Sequence, residues 1–188
     1  MADNNKVKFG LKNCHYAKLT ETGGVITYGT PKAIKGAVNL SLDATGDETN
    51  FFADDTKYYN VTANTGYSGS LELALIPDDF KTDILGYVAD TNGVLFEDAE
   101  AEPSRFALLF EFAGDANHTR HVVYDITCSR PSLSSGTITE TKEPVTETLN
   151  ITASPLPIDS NGMRLVKAKV NEGETEYAGF FSAVYQYT

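Results

Sequence analysis

The sequence predicts a mainly β fold, an antiparallel β-sandwich or barrel-like sheet with one short flanking α-helix at about 78–87. Two observations predict it. Short runs in which apolar and polar residues alternate recur along the 188 residues, with turn residues between them. Helical periodicity occurs in a single segment, so turns rather than crossover helices must join the strands.

Residues 1–6 are polar and read as a mobile N-terminal arm. Val7 to Leu19 reads as a strand with a weak spot at Gly10, and the turn Thr20 to Gly24 sends the chain back as Val25 to Tyr28. Ala37 to Leu42 is a half-buried strand, with Val38, Leu40 and Leu42 on one face and Asn39 and Ser41 on the other. Residues 43–60 (DATGDETNFFADDTKYYN) then form a long polar loop, well beyond the 2–5 residues usual between paired strands. It carries Phe51, Phe52, Tyr58 and Tyr59. Polar loops rarely hold four aromatics unless something covers them. Either these rings fold back onto their own core, or they pack on another subunit, since aromatics concentrate at interface centres.

The best-formed segment follows. From Ser70 to Ile76 the residues alternate, placing Leu71, Leu73 and Leu75 on one face and Ser70, Glu72 and Ala74 on the other. Pro77 removes an amide donor and ends the ladder. Asp78 as cap and Asp79 in the first turn open a helix whose apolar stripe is Phe80, Ile84 and Tyr87, with Gly86 as its stop. An Asn92-Gly93 turn lies beyond it. The acidic run Glu97 to Glu102 lacks the ligand and glycine spacing of a calcium loop and reads as a solvated loop. Phe106 to Phe112 is strongly apolar and forms a hairpin with Arg120 to Cys128 across the Gly114 to Asn117 turn. Pro131 and Pro144 break a Ser/Thr-rich stretch, after which come Leu149 to Ala153, a strand at Met163 to Val170, and the aromatic segment Tyr177 to Tyr187.

The length fits one domain, residues 1–188, able to bury roughly 70% of its unfolded-chain surface without a staple. Cys14 and Cys128 lie in strand-like runs and read as two buried free thiols. With 26 acids against 15 bases the net charge is −11, a field that repels phosphate backbones and argues against duplex binding. There is no apolar run long enough to span a bilayer and no signal-peptide core, so a cytosolic origin without membrane insertion is expected.

Catalysis has little to point to. No nucleophile elbow, phosphate loop, dinucleotide fingerprint or zinc-protease helix is present, and no cofactor is implied. His118 and His121 are three apart in a turn-and-strand segment, where such residues diverge to opposite faces. Folding can always bring two of the many carboxylates together for glycoside cleavage, but Trp, a common sugar-stacking residue, is absent.

Three stretches carry a family resemblance: Phe51 to Tyr59 (FFADDTKYY), Gly66 to Leu73 (GYSGSLEL), and Asp83 to Tyr87 (DILGY) followed by Asp90 to Val94 (DTNGV). Their order resembles the major tail protein family of phages with long non-contractile tails. A looser likeness spans roughly residues 7–185, and the strand Val122 to Ile126 lacks the Trp that members often carry there. The resemblance implies a β-sandwich tail-tube subunit forming hexameric rings that stack into a tube, located in the virion tail after synthesis in the host bacterial cytoplasm. Residues 43–60 would be an inter-ring loop, with Phe51, Phe52, Tyr58 and Tyr59 at subunit interfaces. The implied partners are other copies of the chain, the tape-measure, tail-terminator and distal tail proteins, and DNA passing without specific binding. An acidic lumen would suit that passage; Glu72, Glu111 and Asp125 are the strand-borne acids to place there, an outer solvated face being the alternative. The other reading of the whole chain is a soluble β-sandwich module that binds carbohydrate or cell-surface ligands.

Overall fold

The computed structural model describes residues 8–137, 144–159 and 161–187; the expected mobile arm 1–6 lies outside them. In chain order the elements are β1 (Leu11–Thr22), β2 (Val25–Tyr28), β3 (Lys32–Ala33), β4 (Ala37–Thr45), β5 (Glu48–Ala53), β6 (Thr56–Thr62) and β7 (Gly66–Leu73). The helix α1 (Asp78–Asp83) follows, then β8 (Val88–Ala89), β9 (Leu95–Phe96), β10 (Phe106–Phe112), β11 (Arg120–Cys128), β12 (Glu147–Ala153) and β13 (Lys167–Val170).

The fold is mainly β, and every strand pairing is antiparallel. Nine strands make one sheet in the order β2-β1-β10-β11-β12-β7-β4, with β13 also on β11 and β3 also on β1. The sheet curls until β4, at the end of that order, comes back beside β1. This curl gives the sheet an inner face and an outer face. Inside pack Tyr16, Leu71, Leu73, Phe106, Leu108, Val123, Ile126, Leu149 and Ile151. Outside, Ala17, Ala107, Leu109, Val122 and Tyr124 are covered by Phe180 and Val184 from the C-terminal segment. Alternate residues of β10 thus serve two cores, which is why Phe106 to Phe112 reads as a continuous apolar run rather than an alternating one.

The one helix among the described residues is shorter than expected, Asp78–Asp83 rather than 78–87. Pro77, not Asp78, is its extended N-cap, and no side chain caps it. Beyond Asp83 the chain closes with a bond from the Tyr87 amide to the Lys81 carbonyl around Gly86, whose φ is 77°. That six-to-one bond around a left-handed glycine is the Schellman ending, so the apolar stripe continues past the last helical residue. Phe80, Ile84 and Leu85 are fully buried under it. The Phe80 ring meets Tyr16 and Phe106 edge-on, at 5.0 and 5.4 Å between centroids, and so plugs the inner face.

Other boundaries moved for local reasons. β1 starts at Leu11 because Gly10 sits at φ 71°, and it runs on to a two-residue Gly23-Gly24 turn, both at positive φ. Leu75 was expected beside Leu71 and Leu73 but is exposed: β7 stops at Leu73, the chain bends, and Ile76 enters the core instead. Val38 was expected beside Leu40 and Leu42, but a bulge between Ala37 and Asn39 turns it out to solvent. Gly69 faces the opposite constraint. A Cβ there would stand 1.9 Å from the Ser41 carbonyl oxygen, so only glycine lets β4 approach this closely.

Candidate functional site, an aromatic β-arm

Residues 43–60 are not an irregular loop. β4 extends to Thr45, opposite Gly66 of β7, and the ladder resumes as the β5–β6 hairpin after bonds from Thr65 to Thr45 and from Ala63 to Asp47. The long connection is therefore a projecting extension of the β4–β7 pair. Its strands of six and seven residues give it a reach of about 20 Å at the usual rise per residue. The turn is Asp54-Asp55, at φ 50° and 57°, a two-residue loop of the kind whose twist suits hairpins. Aspartate is among the few side chains that tolerate this region, yet Asp-Asp is not a common hairpin signature. That is why the hairpin was not expected from its sequence.

The arm has two faces. Cross-strand partners share a face, and here Phe51 is opposite Tyr59 and Thr49 opposite Val61. The other face carries Glu48, whose Oε1 accepts from Lys57 Nζ at 2.7 Å and also from Asn60. A bulge in β6, across from Phe51 and Phe52, leaves Tyr58 as its extra residue. Phe52 is opposite Lys57, on the Glu48 face, so the ribbon exposes aromatic rings on both of its faces. Phe51 is 59% exposed, Phe52 64%, Tyr58 74% and Tyr59 61%, which excludes packing on the chain's own core. A two-stranded hairpin standing in water is marginal by itself, and its uncovered aromatic rings make it a candidate contact surface.

The three candidate lumen acids do not share a site. Glu111 and Asp125 are buried, at 5% and 4% exposure, each beside an arginine. Arg105 grips Asp125 with two nitrogens, Nε–Oδ1 being 2.7 Å, and reaches Glu21 with a third at 2.9 Å. Glu111 lies 3.3 Å from Lys12 and 3.6 Å from Arg120 and also accepts from Asn13. Arg120 in turn lies over the rings of Tyr177 and Phe181, at 3.9 and 4.7 Å, fastening the C-terminal segment to the sheet. Neither acid presents an open carboxylate. Glu72 is half-buried and accepts from Thr146 at 2.6 Å.

Cys14 and Cys128 are both free and buried on the inner face, and burial pushes their thiols up to about 12 and about 11. His118 sits in the turn before β11 at φ 46°, 3.8 Å from Glu172. His121 stacks on Phe110 instead, 5.3 Å between centroids, and burial holds its imidazole below the ordinary range. Among the described residues no group of three or more His, Cys, Asp or Glu is placed to hold a metal ion, and no helix is long and apolar enough to cross a membrane.

A second feature was not anticipated from sequence. Near the base of the arm a cleft of about 210 Å³ opens between β4 and β7 on one side and β10, β11 and β13 on the other. Leu42, Tyr67, Phe110, Phe112 and His121 line it. Lys8 lies over the Phe112 ring at 5.1 Å and Lys167 over Tyr67 at 4.6 Å. Lys169, opposite His121 in the ladder, is exposed on the same face of β13 as Lys167. Among the described residues no carboxylate lines the cleft. Its members come from five strands and from Lys8 ahead of β1, so only the fold brings them together. No protein-family model matches the chain, and neither does any curated protein.

Proposed function

We propose that this chain is a structural subunit of a phage tail tube, assembling with copies of itself into stacked rings around a channel for DNA. The observation that carries the reading is the β5–β6 arm: a projecting β-ribbon that leaves four aromatic side chains uncovered. A lone subunit gains nothing from that exposure, whereas a subunit built for a polymer covers it on assembly. The arm occupies the position that the tail-protein resemblance gives to an inter-ring loop. A contact between unlike surfaces closes into rings or runs on as a filament, and a tube needs both.

The net charge of −11 fits a wall past which DNA slides without binding. Glu111 and Asp125 are neutralised by arginines, so an acidic lumen in this subunit would draw on Glu72 and on acids outside those ion pairs. In the virion tail the remaining partners would be the tape-measure, terminator and distal tail proteins. Concentration-dependent sedimentation with negative-stain microscopy tests the reading. Hollow rings or tubes are expected, and a chain that stays monomeric at high concentration refutes it; glycan binding by that monomer would favour the carbohydrate-module reading.

A further inference from the structure

The arm and the cleft are complementary in charge and in shape. The arm tip, Phe52 to Tyr58, holds two exposed rings on either side of the Asp54-Asp55 turn, while Lys57 is already engaged by Glu48. The cleft offers the converse, an aromatic floor with room for about one ring, lined by Lys8 and Lys167 with Lys169 exposed beside Lys167 on β13, and with no carboxylate among its described lining residues. The two cannot meet within one chain. Tyr67, in the cleft wall, sits in the ladder opposite Ala44, at the root of the arm. The paired β5–β6 strands hold the tip about 20 Å away from that root.

We propose that the tip of one copy seats in the cleft of the next, Asp54 and Asp55 against the lysine rim and a tip aromatic on the cleft floor. The inference rests on the tail-tube reading and specifies the contact through which copies join. Tip and cleft lie at opposite ends of the arm, so the contact is head-to-tail and leaves one free tip and one free cleft after every addition. Growth then proceeds by steps set by the length of the arm. Opposite charge at the two ends also orients the encounter and disfavours tip-to-tip pairing.

Charge exchange between the two ends tests it on the full chain, with the onset concentration of assembly read by light scattering and sedimentation. Asp54→Lys with Asp55→Lys, and separately Lys167→Glu with Lys169→Glu, are each expected to raise the onset concentration by roughly tenfold or more. The variant with all four substitutions, and an equimolar mixture of the two double variants, are expected to assemble again. Asp54→Asn with Asp55→Asn keeps residues that tolerate φ > 0, so its loss of assembly reports the lost charge and not a lost turn. Wild-type assembly with unaffected charge variants overturns the tip–cleft contact and leaves the tube reading standing. So does a four-substitution variant no better than either double variant. Failure of the wild-type chain to associate at all overturns both.

Discussion

Replacing Phe51 and Phe52 with Ser separates folding from assembly. About three-fifths of each side chain is exposed, 59% and 64%, and among the described residues nothing buries the rings of the arm. The body should therefore melt within about 0.5 kcal/mol of wild type, a shift of about 1–2 °C for a domain of this size. Assembly responds differently. An aromatic side chain carries roughly 200 Å², so covering three-fifths of it at ~25 cal/mol per Å² is worth about 3 kcal/mol per ring. Both rings together contribute at most about 6 kcal/mol, and incomplete burial halves this to about 3. The onset concentration for assembly should accordingly rise by roughly two to four orders of magnitude. Circular dichroism melting gives the first quantity and sedimentation across a concentration series the second. A melting point lowered by more than about 5 °C would place these rings in the subunit's own core. An unchanged onset would remove them from any contact between copies.

Three further outcomes concern the body. Arg105→Met leaves the buried Asp125 carboxylate without its partner. Breaking such a pair costs about 3–5 kcal/mol, and the part exposure of Arg105 favours the lower end, a fall in Tm of about 6–12 °C; Arg105→Met with Asp125→Leu should recover most of it. Cys14 and Cys128 should stay unlabelled by a disulfide reagent at pH 8 until urea unfolds the chain, because burial keeps both thiols protonated. Since the folded thiols titrate above the unfolded ones, the stability they contribute is complete below the unfolded value and falls as pH rises beyond about 9. Burial opposes ionisation of Asp83, yet Lys32 at 2.6 Å and the Tyr16 hydroxyl at 2.8 Å hold its carboxyl below the usual range. Its contribution is present above about pH 4 and lost as pH falls through the depressed value, so Asp83→Asn should cost about 1.5 kcal/mol near neutrality and little in acid. Urea titrations at several pH values check this.

What could be read from the sequence followed from patterns that a single strand or turn imposes. Leu71 and Leu73 alternate because one face of β7 meets the core, and Pro77 with two aspartates marks a helix start wherever it falls. Phe106 to Phe112 announced a strand by its apolarity, but not that Phe180 and Val184 cover its second face. That cover consists of turns, which carry no period. Leu75 and Val38 went astray because a bend and a bulge each reset the alternation by one residue. Glu111 and Asp125 looked like surface acids because their arginines lie elsewhere in sequence; Glu111 faces Arg120 only through the β10–β11 register.

The arm was hidden for a different reason, one tied to its proposed role. Strand patterns are visible when one face of a strand is buried by the chain that contains it. Among the described residues β5 and β6 bury neither face, so Phe51, Phe52, Tyr58 and Tyr59 sit among polar residues with no partner there to account for them. Their oddity in the sequence and their exposure in the structure are the same fact. A chain that keeps four large rings in water on a ribbon with weak internal support incurs a solubility risk, which edge strands normally avoid with charge or brevity. The Asp54-Asp55 tip and the −11 net charge reduce that risk for the free subunit. If the lysine-rimmed cleft receives that tip, the charge that keeps free copies apart is also what brings them together in one orientation. Assembly should then be steered by a few carboxylates and driven by the rings beside them.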